Sequence, residues 1–209
     1  MRIERRKGDR REPESPFKDF LEPDSNEERP CGPGCQRVCP TCGSVSCQCA
    51  CSPDCEHIPT ALSSDPENYP LETGIAPLVY ALKKTGHYHP CWSCEGHMDL
   101  SGERIWKIPR VWFYCNSTTH IRLLADVIQD FRVEHLIQVP WQVKVSFSDE
   151  DNPDTTFSLR PDMAGQEDVT LEQLQKDVHT IAEKLNDALR ARAEKIRDII
   201  VAKGREKTD

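Results

Sequence analysis

Apolar residues are sparse over the first seventy positions of this chain and dense after them. The runs Ile75–Leu82, Ile121–Ile128 and Val139–Phe147 are rich enough to form a core. The first run predicts a helix over Ile75–Lys84. Pro77 falls in its first turn, where a missing N–H costs no hydrogen bond, and Gly86 can close it in a left-handed cap. Pro90–Cys94 predicts a short strand or loop. Ile105–Cys115, β-branched and aromatic, predicts a buried strand interrupted by Pro109. Thr118 or Thr119 is placed to cap a helix whose Leu124, Val127, Ile128 and Phe131 share one face. Trp141–Phe147 alternates apolar with polar residues, as a half-buried strand does. The polar segment 148–154 then reads as a turn, with Thr155–Arg160 as the hairpin partner.

The last element has the clearest local signature. Thr170 and Gln173 form a capping box, with Val169 and Leu174 spaced as a hydrophobic staple. Leu171, Leu174, Val178, Ile181 and Leu185 follow a helical stripe. The stripe shifts at Leu189 and continues through Ala193, Ile196 and Ile200, like a stutter in a coiled-coil heptad. A helix running to about Lys203 would be roughly 50 Å long at about 1.5 Å per residue. That length exceeds the width of the domain beneath it. Either its end projects, or it self-associates with another copy; the plain alternative is one amphipathic helix lying across the sheet.

The order of elements predicts an α+β fold: an antiparallel or mixed sheet of about four strands with helices on one face. The chain divides into a polar, disordered tail (1–30), a cysteine-rich module (31–57), a Pro-rich linker (58–72), the α+β domain (73–165) and the long C-terminal amphipathic helix (166–209). The 209 residues carry a formal net charge of −8, and 37% are hydrophobic. An acidic chain repels phosphate backbones unless its cations are segregated, so nucleic-acid binding is not expected. The basic residues among the first eleven are soon cancelled by Glu and Asp. No run approaches the roughly 18 apolar residues of a membrane span, and the start has no apolar signal core. A cytoplasmic location is the expectation, and there clustered thiols read as metal ligands sooner than as disulfides.

Eight of the eleven cysteines fall between Cys31 and Cys55: Cys31, Cys35, Cys39, Cys42, Cys47, Cys49, Cys51 and Cys55. Eight thiolates suit two four-coordinate sites or one cluster with bridging sulfurs. Cys39-Pro40-Thr41-Cys42-Gly43 resembles the knuckle of zinc ribbons and rubredoxins. Cys47-Gln48-Cys49-Ala50-Cys51 resembles metallothioneins. So few apolar residues cannot fold the module, so metal ligation would supply most of its folding free energy, about 10 kcal/mol per structural zinc. Zinc is the expected metal, with an iron–sulfur cluster as the alternative. Disulfides and an unfilled, disordered segment are the competing readings. Cys35-x3-Cys39-x2-Cys42 matches the cluster motif of radical-SAM enzymes, but the long series of β-α units those enzymes need is missing.

A second dense group is His87-Tyr-His89-Pro-Cys91-Trp-Ser-Cys94-Glu-Gly-His97. Three readings compete for it. Cys91, Cys94 and His97 could hold a metal with an open position, and Cys115 could close that site. Alternatively Cys94 is a nucleophile, His97 its base and Glu95 an orienting group. The third reading makes these residues core, since free cysteine is often buried. The deaminase zinc motif is excluded, because no upstream His-x-Glu or Cys-x-Glu precedes Pro90.

Gly74-Ile75-Ala76-Pro77-Leu78-Val79, then Ser93-Cys94-Glu95-Gly96-His97, then Pro109-Arg110-Val111-Trp112-Phe113-Tyr114 resemble a family of small bacterial and phage domains with a Ser-Cys-Glu-Gly-His core. That resemblance implies no particular activity. The Ser-Cys-x-Gly element is also similar to the wybutosine-pathway tRNA methyltransferase family, which carries Arg where this chain has His97; that similarity implies RNA modification. The leading expectation is a metal-binding protein whose α+β domain is a binding or regulatory module. The alternative is a small thiol- or metal-dependent enzyme, RNA-modifying by the resemblance, using Cys94, Glu95 and His97.

Overall fold

The computed structural model describes Leu21 and residues 71–115, 117–147, 155–165 and 168–205. The tail, the cysteine array Cys31–Cys55, most of the linker and the 148–154 turn lie outside the described residues. Within them the elements run α1 (Ala76–Lys84), β1 (His89–Cys94), β2 (His97–Met98), β3 (Ile105–Lys107), β4 (Arg110–Tyr114), α2 (Thr118–Val133), β5 (Trp141–Phe147), β6 (Thr155–Pro161) and α3 (Leu171–Arg205). The fold is α+β.

The main sheet has four strands in the order β1-β4-β6-β5, and every pairing in it is antiparallel. Strands β2 and β3 form a separate antiparallel pair. Period-two alternation sends Val111 and Phe113 of β4 and Phe157 and Leu159 of β6 to one face. There they meet Leu78 and Leu82 of α1, Leu124 and Ile128 of α2, and Ile181 and Leu185 of α3 in one apolar cluster. The described helices therefore share that face.

The sequence expectation needs three corrections. Ile105–Cys115 is not one strand. Pro109 has no N–H to offer a ladder, and the chain leaves one sheet at Lys107 and enters the other at Arg110. Neither Thr118 nor Thr119 caps α2: the N-cap is Ser117, with extended backbone, and its hydroxyl makes no capping bond. Thr119 is buried. Finally, the alternation of β5 fades along the strand. Trp141 is 5% exposed and Val145 is 65% exposed, so only the start of the strand lies over the core.

Helix α3 begins as the capping box predicts. Thr170 N donates to Gln173 Oε1 (2.8 Å) and Gln173 N donates to Thr170 Oγ1 (3.2 Å). Leu174, Val178, Ile181, Leu185, Leu189 and Ala193 are all fully buried, so the stripe is occupied by packing within the chain that far. At that point Arg192 pairs with Asp126 and Asp130 of α2.

Near its start, α3 is pinned by a buried carboxylate. Asp177, 1% exposed, accepts from Gln138 N (2.9 Å), Val139 N (3.0 Å) and Trp141 Nε1 (3.2 Å). These bonds satisfy the backbone where the chain turns from α2 into β5. Removing the carboxylate strands three donors at once. Asp177→Ala is expected to lower the unfolding free energy by about 3 kcal/mol or more, measured by urea denaturation. A loss near that of an exposed substitution, within about 0.5 kcal/mol, would contradict this role.

Candidate metal centre

The site forms where the chain passes from the large sheet to the small one. Strand β1 ends at Cys94 and β2 starts at His97, leaving Glu95 and Gly96 to make the turn. Gly96 has φ +89°, and a Cβ there would lie 2.6 Å from Leu171 Cδ1 and 2.8 Å from Pro109 Cδ. Only glycine accepts both the left-handed backbone and the close approach of α3. The turn brings Cys94 and His97 to the same side.

The third member is Glu72, just before α1. Its Oε1 lies 2.9 Å from His97 Nε2, and its Oε2 accepts the Glu95 N–H at 2.7 Å. Donor atoms of Glu72, Cys94 and His97 all lie within 4.8 Å of one another. Cys94 is buried, whereas Glu72 and His97 are half-buried. One side of the cluster is thus closed and the other open to solvent. Burial pushes the Cys94 thiol up from its ordinary value. The Gly96 N–H pulls it down, the Glu72 charge adds to the rise, and the Lys107 and Arg110 charges oppose it.

The arrangement redistributes the roles expected from the sequence. Cys94 and His97 do meet. Glu95 does not orient His97: its Oε2 accepts the Gly74 N–H at 2.8 Å, while its own carbonyl accepts from Gln175 Nε2 at 3.4 Å. The carboxylate on His97 is Glu72, which falls in the stretch that the sequence pattern predicts as linker. Nor do Cys91 and Cys115 join the cluster. Cys94 stands opposite Arg110 in the β1–β4 register. Cys115 follows Arg110 by five residues, roughly 16 Å along a strand. It lies instead near Tyr88, and its thiol donates to the Ser117 carbonyl at 3.4 Å. Cys91 is exposed, in the irregularity between Pro90 and Trp92. The fourfold site Cys91/Cys94/His97/Cys115 is therefore not formed.

The donor set fits a divalent cation. Zinc bonds of about 2.0–2.3 Å to N, O and S place tetrahedral ligand atoms roughly 3.3–3.6 Å apart. The Glu72–His97 contact at 2.9 Å is shorter than this and all three donor atoms lie within 4.8 Å of one another, so the three would have to rearrange around a bound ion to reach ligating distances. Glu72 already has one oxygen tied to main chain, which leaves the other to act as a monodentate ligand. Comparison with protein-family models, with curated proteins and with solved structures finds no significant match.

Two outcomes are expected from this geometry. Gly96→Ala should cost about 2 kcal/mol or more of stability, read by denaturant unfolding, since it combines a strained φ with two steric overlaps. In metal-free native protein, iodoacetamide should label the exposed Cys91 and spare Cys94 until the chain is unfolded, as read by peptide mass spectrometry. Equal labelling of the two in the folded chain would contradict the burial of Cys94.

Proposed function

We propose that the protein binds a single divalent cation, zinc by preference, between Glu72, Cys94 and His97, and acts through the position that this cation leaves open. The observation that supports the reading is the convergence, within 4.8 Å, of the Glu72 carboxylate with the Cys94 thiol and His97 imidazole of a single distant turn. A thiolate and an imidazole together favour zinc over magnesium or calcium. Three protein ligands leave a fourth position for water or a ligand atom, the arrangement of catalytic rather than structural zinc. In the same reading the array from Cys31 to Cys55 holds further zinc or an iron–sulfur cluster and serves as a separate metal module.

The thiol-enzyme reading uses the same residues, with Glu72 replacing Glu95 as the group that orients His97. Two observations weigh against it. Cys94 is buried, and burial holds its thiol above the ordinary value, so without a metal little thiolate forms near neutral pH. A cation reverses that effect, because a coordinated thiol is deprotonated outright.

The test is zinc stoichiometry of the full chain, stripped and reloaded, against Glu72→Gln, Cys94→Ser and His97→Ala. The amide oxygen introduced by Glu72→Gln can still accept the Glu95 N–H, so that variant keeps the local fold. Each variant is expected to hold about one zinc fewer per chain while its circular dichroism is unchanged, with the array cysteines left intact as an internal reference. Folded variants that bind as much zinc as the native chain would falsify the assignment.

A further inference from the structure

The face of the main sheet turned away from the helices has an unusual charge pattern. The strands β1, β4, β5 and β6 contain no Asp or Glu at all. In a chain with 35 acidic and 27 basic residues, the Lys and Arg of these four strands stand with no carboxylate in the strands themselves, while the Glu72 carboxylate acts on Cys94, beside Arg110. Register shows how these cations are grouped. Val111 pairs with Leu159 and Trp112 with Ser158, and continuing that ladder by one residue sets Arg110 beside Arg160. Directly opposed like charges repel, and nothing acidic in the strands offsets them.

Unmet hydrogen-bonding capacity falls in the same place. Among the described residues, three buried side-chain polar atoms lack a partner: Arg110 Nε, Arg160 Nε and Ser158 Oγ. All three fall on this one face, on the neighbouring strands β4 and β6. Buried donors are almost always satisfied, so a cluster of three unsatisfied ones points to an acceptor that binds from outside. Beside them are flat aromatic surfaces. The Arg110 guanidinium lies 4.9 Å from the Trp92 ring centroid and 5.7 Å from that of Trp112, and Trp92 is 40% exposed. Stacking on indoles fixes the plane of the guanidinium.

We propose that Arg110, Arg160 and Ser158 form a phosphoryl-binding site, and that Trp92 stacks the base of the nucleoside phosphate it takes. Two guanidiniums offer more donors than the two oxygens of a carboxylate can take up and suit the three terminal oxygens of a phosphoryl group, with the buried Ser158 hydroxyl beneath them. Trp92, 40% exposed beside Arg110 and Trp112, supplies the indole against which a planar base packs. Cys94 stands opposite Arg110, one strand spacing or about 5 Å away, so the bound phosphoryl group lies next to the centre described above. The anion site follows from register and unpaired donors alone; only its role as substrate site of a metal centre rests on the proposed function.

The test is titration of the full chain, with and without zinc, by adenosine 5′-monophosphate, inorganic phosphate and sodium acetate at matched ionic strength. Calorimetry and tryptophan fluorescence are the readouts. The nucleotide is expected to bind and quench fluorescence, with phosphate weaker by tenfold or more and acetate weaker still. Arg110→Gln and Arg160→Gln should each weaken both phosphoryl ligands at least tenfold while leaving zinc stoichiometry unchanged. Trp92→Leu should weaken the nucleotide and spare phosphate. Failure of all three ligands to bind the folded chain, or unchanged affinity in both arginine variants, overturns the site. Phosphate binding as tight as the nucleotide overturns the base-stacking part. Phosphoryl binding by a chain whose Glu72, Cys94 and His97 variants lose no zinc upholds the anion site and separates its fate from that of the metal centre.

Discussion

The site depends on a reciprocal exchange between two segments more than twenty residues apart. Glu72 accepts the N–H of Glu95, and Glu95 accepts the N–H of Gly74. Hydrogen bonds from backbone N–H to a carboxylate are charge-assisted and stronger than neutral ones. Each carboxylate holds main chain, so the exchange fixes the path of both segments and not merely two side chains. The first segment runs straight into α1, whose Leu78 and Leu82 are core. The second joins the large sheet to the small one. The fit is close: a Cβ on Gly74 would lie 2.8 Å from Glu95 Oε2. The exchange leaves one oxygen of Glu72 pointed at His97. The helical layer and the sheet junction are thus locked together at the point where the donor atoms meet.

Much of the fold was legible because it rests on periodicity and local chemistry. The stripe of α3, its Thr170–Gln173 box and the β5–β6 pair each follow from residues close in sequence. Pro109 was visible as an interruption, but not as a change of sheet, because partner choice is a long-range matter. The site was half legible. Cys94 and His97 are three residues apart, and a turn containing Gly96 brings them together. Glu72 was not recoverable, since it lies in a polar stretch beside prolines that reads as a linker. Glu95 stood closer in sequence and took its place in the expectation. The distinction between the two carboxylates is made by the Gly74 and Glu95 N–H groups, and no spacing rule encodes that.

The two faces of the main sheet answer to different constraints. Val111, Phe113, Phe157 and Leu159 are buried by the helices, and the driving force there is apolar burial. On the other face Arg110 and Arg160 are held beside tryptophan and serine with donors unmet. Such an arrangement costs stability, of the order of 1–3 kcal/mol for each unsatisfied buried donor. The loss is set against the capacity of these same atoms to recognise an anion. The overall charge of −8 stands in contrast to these strands, which carry no carboxylate.

The opposed influences on Cys94 link these parts. Burial and the Glu72 charge disfavour its thiolate, while the Gly96 N–H, Lys107 and Arg110 favour it. In the metal-free chain burial dominates, and the thiol stays protonated near neutral pH. A divalent cation between Glu72, Cys94 and His97 would change the balance by more than any neighbouring lysine or arginine, since it bonds the sulfur directly. The same cation would replace the direct contact between His97 and Glu72. Binding would therefore release the thiol proton, and affinity would rise with pH until the ligands are fully deprotonated. An anion on Arg110 would act in the opposite sense on the thiol. It would cancel the positive charge that now stabilises the thiolate, yet its own charge would be attracted to the cation. Occupancy of the two neighbouring sites would in this way be coupled, and by linkage the coupling must run equally in both directions.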